Sequence, residues 1–160
     1  MNPAVQRKEF VSGLIDILNL AIDKTHLEDA EIVLASVRLL RPKLMQLDMF
    51  EGWIAMRRRN WTDAARIIGN LDLAIPEFET ARAFLAVCQY SSGNSAWRAT
   101  ASDVLENSSS VEAVDIVRTL LAPDDEFAPA DNDAETATNS PSSIDNMIQI
   151  SMHNTYYNRM

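Results

Sequence analysis

Residues 20–42 read LAIDKTHLEDAEIVLASVRLLRP, and residues 54–76 read IAMRRRNWTDAARIIGNLDLAIP. Laid over one another at a shift of 34, they pair Leu20 with Ile54, Ala21 with Ala55, Leu27 with Trp61, Asp29 with Asp63 and Ala30 with Ala64. Further along, Leu34 meets Ile68, Val37 meets Leu71 and Pro42 meets Pro76. Within each copy the apolar residues recur every three or four positions, which is helical spacing. Each copy also ends on proline, which disfavours helix at the residue before it. The stretch is one helix–turn–helix unit written twice.

A period of 34 residues is the tetratricopeptide period, in which two antiparallel helices form each unit. Alanine where the two helices approach most closely lets their backbones pack without a void. The apolar residue after the turn, Leu27 or Trp61, fills the gap between units. A third unit, from about Glu79 to Glu106, keeps the turn at Gly93-Asn94 and the helix lengths. Its second helix has Arg98 where the period calls for alanine, so this unit is degenerate.

Working outward, helices are expected over Phe10–Ile22, Leu27–Leu40, Leu44–Arg58, Thr62–Leu71, Phe78–Tyr90, Ala96–Glu106 and Val111–Leu121. Thr62 reads as the N-cap of the fourth, with Asp63 at the positive end of its dipole. The seventh follows the cap region Ser108-Ser109-Ser110 and serves as the terminal cap of the stack. Alternating strand patterns are absent. The expectation is an all-α fold of about three helix pairs plus a capping helix, with no sheet.

The 160 residues carry 14 Lys+Arg against 23 Asp+Glu, a formal charge of −9. That charge is uneven. Residues 1–121 hold 13 bases and 16 acids, net −3, and residues 122–143 hold six acids and no base, net −6. Residues 144–160 hold Asp145 and Arg159 and sum to zero. The segment 122–143 has three prolines and one large apolar residue, Phe127, too little to offset its ordering entropy. The chain thus divides into a helical repeat domain over 1–121, a flexible acidic linker over 122–143 and a short tail over 144–160. The acidic balance disfavours nucleic acid, which rewards Lys and Arg.

No apolar run reaches membrane-spanning length, and the N-terminus shows no signal-peptide core. The cytosol is the default compartment, and a single Cys agrees with it. One Cys and two His exclude a disulfide framework and a multi-Cys zinc site, so no metal and no cofactor is expected. Cys88 lies within an apolar helix face and reads as structural. His26 sits at a turn and His153 in the tail, neither at ligand spacing. Carboxylate pairs such as Asp29 and Glu31 read as solvated faces. No catalytic residue is assigned, and the chain is not expected to be an enzyme.

Binding is the better supported class. In stacked pairs the first helix of each unit lines a concave surface, here Ile15, Asn19, Ile22, Gln46, Met49, Trp53, Met56, Val87 and Tyr90. A largely apolar groove with two methionines suits an amphipathic helix laid along it. On that basis Trp53→Ala or Met56→Glu should abolish partner binding and leave the helix content alone. Arg57, Arg58 and Arg59 close the third helix, where cations complement its dipole, and form a candidate anion patch.

The runs RLLRP (38–42), LDMFEGW (47–53) and NWTDAAR (60–66) resemble the HrpB/HrpK-type proteins of bacterial type III secretion systems. The run LAVCQYSSG (85–93) looks like the matching stretch of the needle-subunit chaperones of the same machines. The resemblance covers about residues 10–121, and its most specific block is FEGWIAMRRRNWTDAAR. It departs from the family pattern at Arg59-Asn60, where glycine is common, which implies a tighter or shifted turn. The resemblance implies a Gram-negative secretion protein. It implies a tetratricopeptide-like groove that holds the subunit's C-terminal helix and prevents premature polymerisation. Members of the HrpB/HrpK branch are also associated with the periplasm and peptidoglycan.

Two functions follow. One is a cytoplasmic chaperone for an apolar helix of a pilus or needle subunit, or of another early export substrate. The other is a periplasmic structural factor that reaches the envelope through the apparatus and binds peptidoglycan or lipid through Arg57, Arg58 and Arg59. In the tail, Ile144, Met147, Ile148 and Met152 share one face of a short helix. It reads either as a segment docking in the groove of its own or a second chain, or as a disordered end.

Overall fold

The computed structural model describes residues 3–122, which form seven helices and, among the described residues, no strand. They are α1 (Pro3–Asp23), α2 (Leu27–Leu40), α3 (Leu47–Arg57), α4 (Trp61–Ala74), α5 (Glu79–Ser91), α6 (Trp97–Asn107) and α7 (Val111–Leu121). All seven expected helices are present. α1 starts earlier than its apolar period shows, and α3 starts three residues later than expected, after a turn over 44–46. The linker and tail expected over 122–143 and 144–160 lie outside the described residues, apart from Ala122.

The pairs α1–α2, α3–α4 and α5–α6 pack as units, α2 on α3 and α4 on α5 join them, and α7 closes the stack against α5 and α6. The 34-residue period is visible in the backbone. Thr25, Arg59 and Gly93 all have left-handed dihedrals, with φ of 60°, 59° and 75°. At each, the next residue's N–H reaches back to the first helix of its unit: His26 to the Ala21 carbonyl (2.8 Å), Asn60 to Ala55 (2.9 Å) and Asn94 to Gln89 (2.8 Å). This satisfies carbonyls that a helix end leaves open. The turn at Arg59-Asn60 is therefore not shifted: an arginine takes the conformation that glycine would take.

The far ends repeat as well. Arg41 and Ile75, before Pro42 and Pro76, have φ,ψ of −136°, 64° and −134°, 77°. Ala30, Leu34 and Val37 are buried on α2, and Ala64, Ile68 and Leu71 on α4. In the third unit α6 starts late, after the turn at Ser95-Ala96, and its buried residues Ala101 and Val104 stand 33 rather than 34 beyond Ile68 and Leu71. That one-residue slip turns Arg98 outward, where it lies over the Trp97 ring, and explains the missing alanine.

Close packing inside the second unit depends on Gly52. A Cβ there would lie 2.6 Å from Cγ1 of the buried Ile68. Two end assignments change. The N-cap of α4 is Asn60, whose side chain accepts from Asp63 N–H, so Thr62 is already inside the helix. Ser110 caps α7 by accepting from Ala113 N–H at 3.2 Å. No described helix is long and apolar enough to cross a membrane.

Candidate functional site

The residues selected for binding fall on repeat positions of the first helices. Ile15 and Met49 share one, Asn19, Trp53 and Val87 a second, and Ile22, Met56 and Tyr90 a third. α1, α3 and α5 bring them to one side of the stack. Ile15, Ile22, Met49, Trp53, Met56 and Val87 are buried, so the stripe is interior rather than an open surface. Asn19 and Gln46 are half-buried. Tyr90 alone is exposed, and its ring stands edge-on to Trp97 at 5.2 Å, beside the α5–α6 turn. Thr80 and Ala83, which sequence reasoning missed, are buried at the positions equivalent to Gln46 and Met49. Adding 34 to those two numbers would have found them.

Trp53 is central. Its ring meets Phe50 edge-on at 5.2 Å and Phe84 of α5 at 6.1 Å. Its Nε1 donor is buried without a hydrogen-bond partner, and so is Oδ1 of Asn19, one repeat earlier. Buried polar groups are paired in the great majority of native structures. The unpaired Trp53 donor and Asn19 acceptor, at the same repeat position, are exceptions to that rule.

The three arginines go separate ways. Arg58 forks onto Glu31 of α2, with 2.6 and 3.0 Å bonds, so Glu31 is not simply a solvated carboxylate. Arg59 lies over the Trp61 ring, 5.6 Å from its centroid, and Arg57 is half-buried. Arg58 lines a cleft of about 350 Å³ between α2, α3 and α4, floored by Leu34 and Ile54. Arg38, on the same cleft, is held by Asp48 at 2.7 Å and Glu51 at 2.6 Å. Bases and acids alternate around it, which gives no net preference for an anion.

A family model for a bacterial type III secretion protein, HrpB1_HrpK, matches residues 1–126 and so spans all seven helices. The chain belongs to the HrpB1_HrpK family. No curated protein and no solved structure matches it. In this HrpB1_HrpK protein Cys88 is buried, and burial pushes its thiol up to about 12, out of nucleophilic range at neutral pH. Among the described residues no group of His, Cys, Asp and Glu could hold a metal. His26 is exposed at the start of α2, and His153 lies outside the described residues.

Proposed function

We propose that this HrpB1_HrpK protein is a tetratricopeptide-like chaperone of the type III secretion system. It holds an apolar helix of the pilus or needle subunit, or of another early export substrate, against the stripe on α1, α3 and α5, whose buried face must open to admit the guest. In this reading it works in the bacterial cytoplasm before export, without a cofactor and without catalysing a reaction. The observation that carries the reading is the unpaired Trp53 Nε1 and Asn19 Oδ1, set one repeat apart within an apolar stripe. Apolar area gives such a groove its affinity, and a few placed polar groups give it register. The periplasmic reading has less support, because Arg58 is engaged by Glu31.

Burial changes the choice of test. Trp53→Ala would remove a fully enclosed ring at about 3–5 kcal/mol, so lost binding would report on folding. Trp53→Phe and Asn19→Ala remove the polar atoms and leave most of the packing. Co-expression with the subunit and affinity measurement should show each variant binding about tenfold more weakly, one hydrogen bond's worth. Wild-type affinity in both variants, at unchanged helix content, sinks the proposal.

A further inference from the structure

The two joints between units are built from the same positions. In the first, Asp48 and Glu51 of α3 hold Arg38 of α2 at 2.7 and 2.6 Å, and Arg58 holds Glu31. Ile54 and Leu34 line the cleft between those ion pairs. Thirty-four residues on, the second joint repeats the first contact with its charges exchanged. Arg82 of α5 stands in the place of Asp48, and its partner Asp72 of α4 in the place of Arg38. Leu85 replaces Glu51 and lies against α4, where a Cβ on Gly69 would be 3.6 Å from its Cδ1. Cys88 replaces Ile54 and is fully buried. Thirty-four residues back, the same positions on α1 are Leu14, Ile17, Leu20 and Lys24. There the face is open. Ile17 and Leu20 are 53% and 57% exposed, and Phe10, at the position of Leu44, is 61% exposed. End units of helical-repeat proteins carry a polar outer face. α1 carries an apolar one, at positions that in both later units meet a helix.

We propose that this face of α1 docks a helix of a partner protein in the way that α3 receives α2. The matching positions define what that helix carries. Arg58 pairs with Glu31, and Lys24 stands in its place, exposed beside Asp23, so the incoming helix has an acid where α2 has Glu31. Leu20 keeps the apolar character of Ile54 and calls for an apolar residue three positions on, where α2 has Leu34. Asp48 and Glu51 hold an arginine, but Leu14 and Ile17 in their places would leave one without a counter-charge. The residue seven positions after the acid is therefore apolar instead. The occupant is an amphipathic helix with an acid followed by apolar residues three and seven positions later, all on one face. A second copy of α1 fits worse. Glu9, Asp16 and Asp23 line one flank at seven-residue spacing, so an antiparallel copy brings acids onto acids. A parallel copy sets Lys24 on Lys24.

A synthetic α2 peptide, residues 27–41 with Arg38→Leu, supplies the pattern and serves as the probe, fluorescein-labelled and titrated with the full chain. Saturable binding is expected with a Kd of about 10–100 μM, weakened by the cost of ordering a short free helix. Ile17→Glu in the chain should weaken it about tenfold, because a carboxylate then faces an apolar side chain. The unaltered α2 peptide, which keeps Arg38, should bind the Ile17→Glu chain more tightly than it binds the wild type. Lys24→Glu should cost about fivefold, and Glu31→Lys in the peptide should restore the loss. Ile17 and Lys24 are exposed, so circular dichroism of both variants should match the wild type. Absence of saturation, or binding indifferent to Ile17 and Lys24, overturns the proposal. A wild-type chain that sediments as a dimer and becomes a monomer on Ile17→Glu overturns it too, because a second copy then holds the face. The secretion subunit is absent from these titrations, so the chaperone reading stands or falls separately.

Discussion

Thr25 and Arg59, thirty-four residues apart, hold the same left-handed backbone, with φ of 60° and 59°. Outside glycine this conformation costs roughly 1–2 kcal/mol, and Thr25 is β-branched, which worsens it. Both residues are exposed, so the strain is relieved without disturbing the core. Thr25→Gly should raise stability by about 1 kcal/mol. Arg59→Gly should gain less, because it also removes the cation from above Trp61, worth roughly 0.5–1 kcal/mol at an exposed site. Gly93→Ala should lose about 1 kcal/mol at the third equivalent position. Urea midpoints in that order check the argument; a gain at Arg59 equal to that at Thr25 would show the ring contact to be idle.

Gly52→Ala places a methyl 2.6 Å from Ile68 Cγ1, well inside contact distance. Ile68 is fully buried and has no room to turn aside. Overpacking of this kind costs about 1–3 kcal/mol, and Ile68→Val in the same chain should recover part of it. Gly69→Ala is the control, since its nearest neighbour is Leu85 at 3.6 Å, an ordinary contact. Thermal midpoints should fall for the first and rise slightly for the second, because alanine suits a helix interior better than glycine.

Glu79, at the start of α5, accepts from Ser108, from Ser109 Oγ at 3.1 Å and from the Ser110 N–H at 2.7 Å, tying α5 to the entry of α7. The Ser108 hydrogen bond, followed by those from Ser110 and Ser109, lowers its pKa below the ordinary 4.5. A lowered carboxylate contributes stability that is present above about pH 4.5 and lost as pH falls through the folded value. Between those two values the unfolded chain binds more protons, so stability rises with pH there. Glu79→Gln should flatten that part of the profile. Denaturant midpoints from pH 3 to 6 measure it, and an unchanged slope would remove Glu79 from the account.

The repeat was legible because its signals are backbone signals. Ala30 and Ala64 mark close helix approach, and Pro42 and Pro76 mark ends, whatever surrounds them. The slip in the third unit was only half legible. Arg98 announced a break, but its size depends on the turn at Ser95-Ala96, which no periodicity encodes. The inner stripe was found by number and misjudged by exposure. Spacing tells which residues share a face; whether Trp53 meets water depends on what packs over that face from distant chain. Arg58 and Glu31, 27 residues apart, meet only once two units stack. Local sequence therefore showed two charged surfaces where the fold has one ion pair.

Arg82 of α5 reaches both neighbouring helices, with Nε 3.2 Å from Asp72 Oδ1 on α4 and NH1 2.8 Å from Asp103 Oδ2 on α6. Asp72 is buried, and Asp103 is half-buried. Arg82→Met keeps the stem's packing but leaves a carboxylate enclosed without its cation, at about 2–3 kcal/mol. The loss belongs to the stranded charge rather than to the pair. Asp72→Leu added to Arg82→Met should therefore restore most of the stability, because a matched apolar pair replaces a buried ion pair at little cost. A double-mutant cycle in urea reads this directly. A double variant no more stable than Arg82→Met alone would mean that Arg82 acts through α6 and Asp103 instead, and Asp103→Asn would then reproduce the loss.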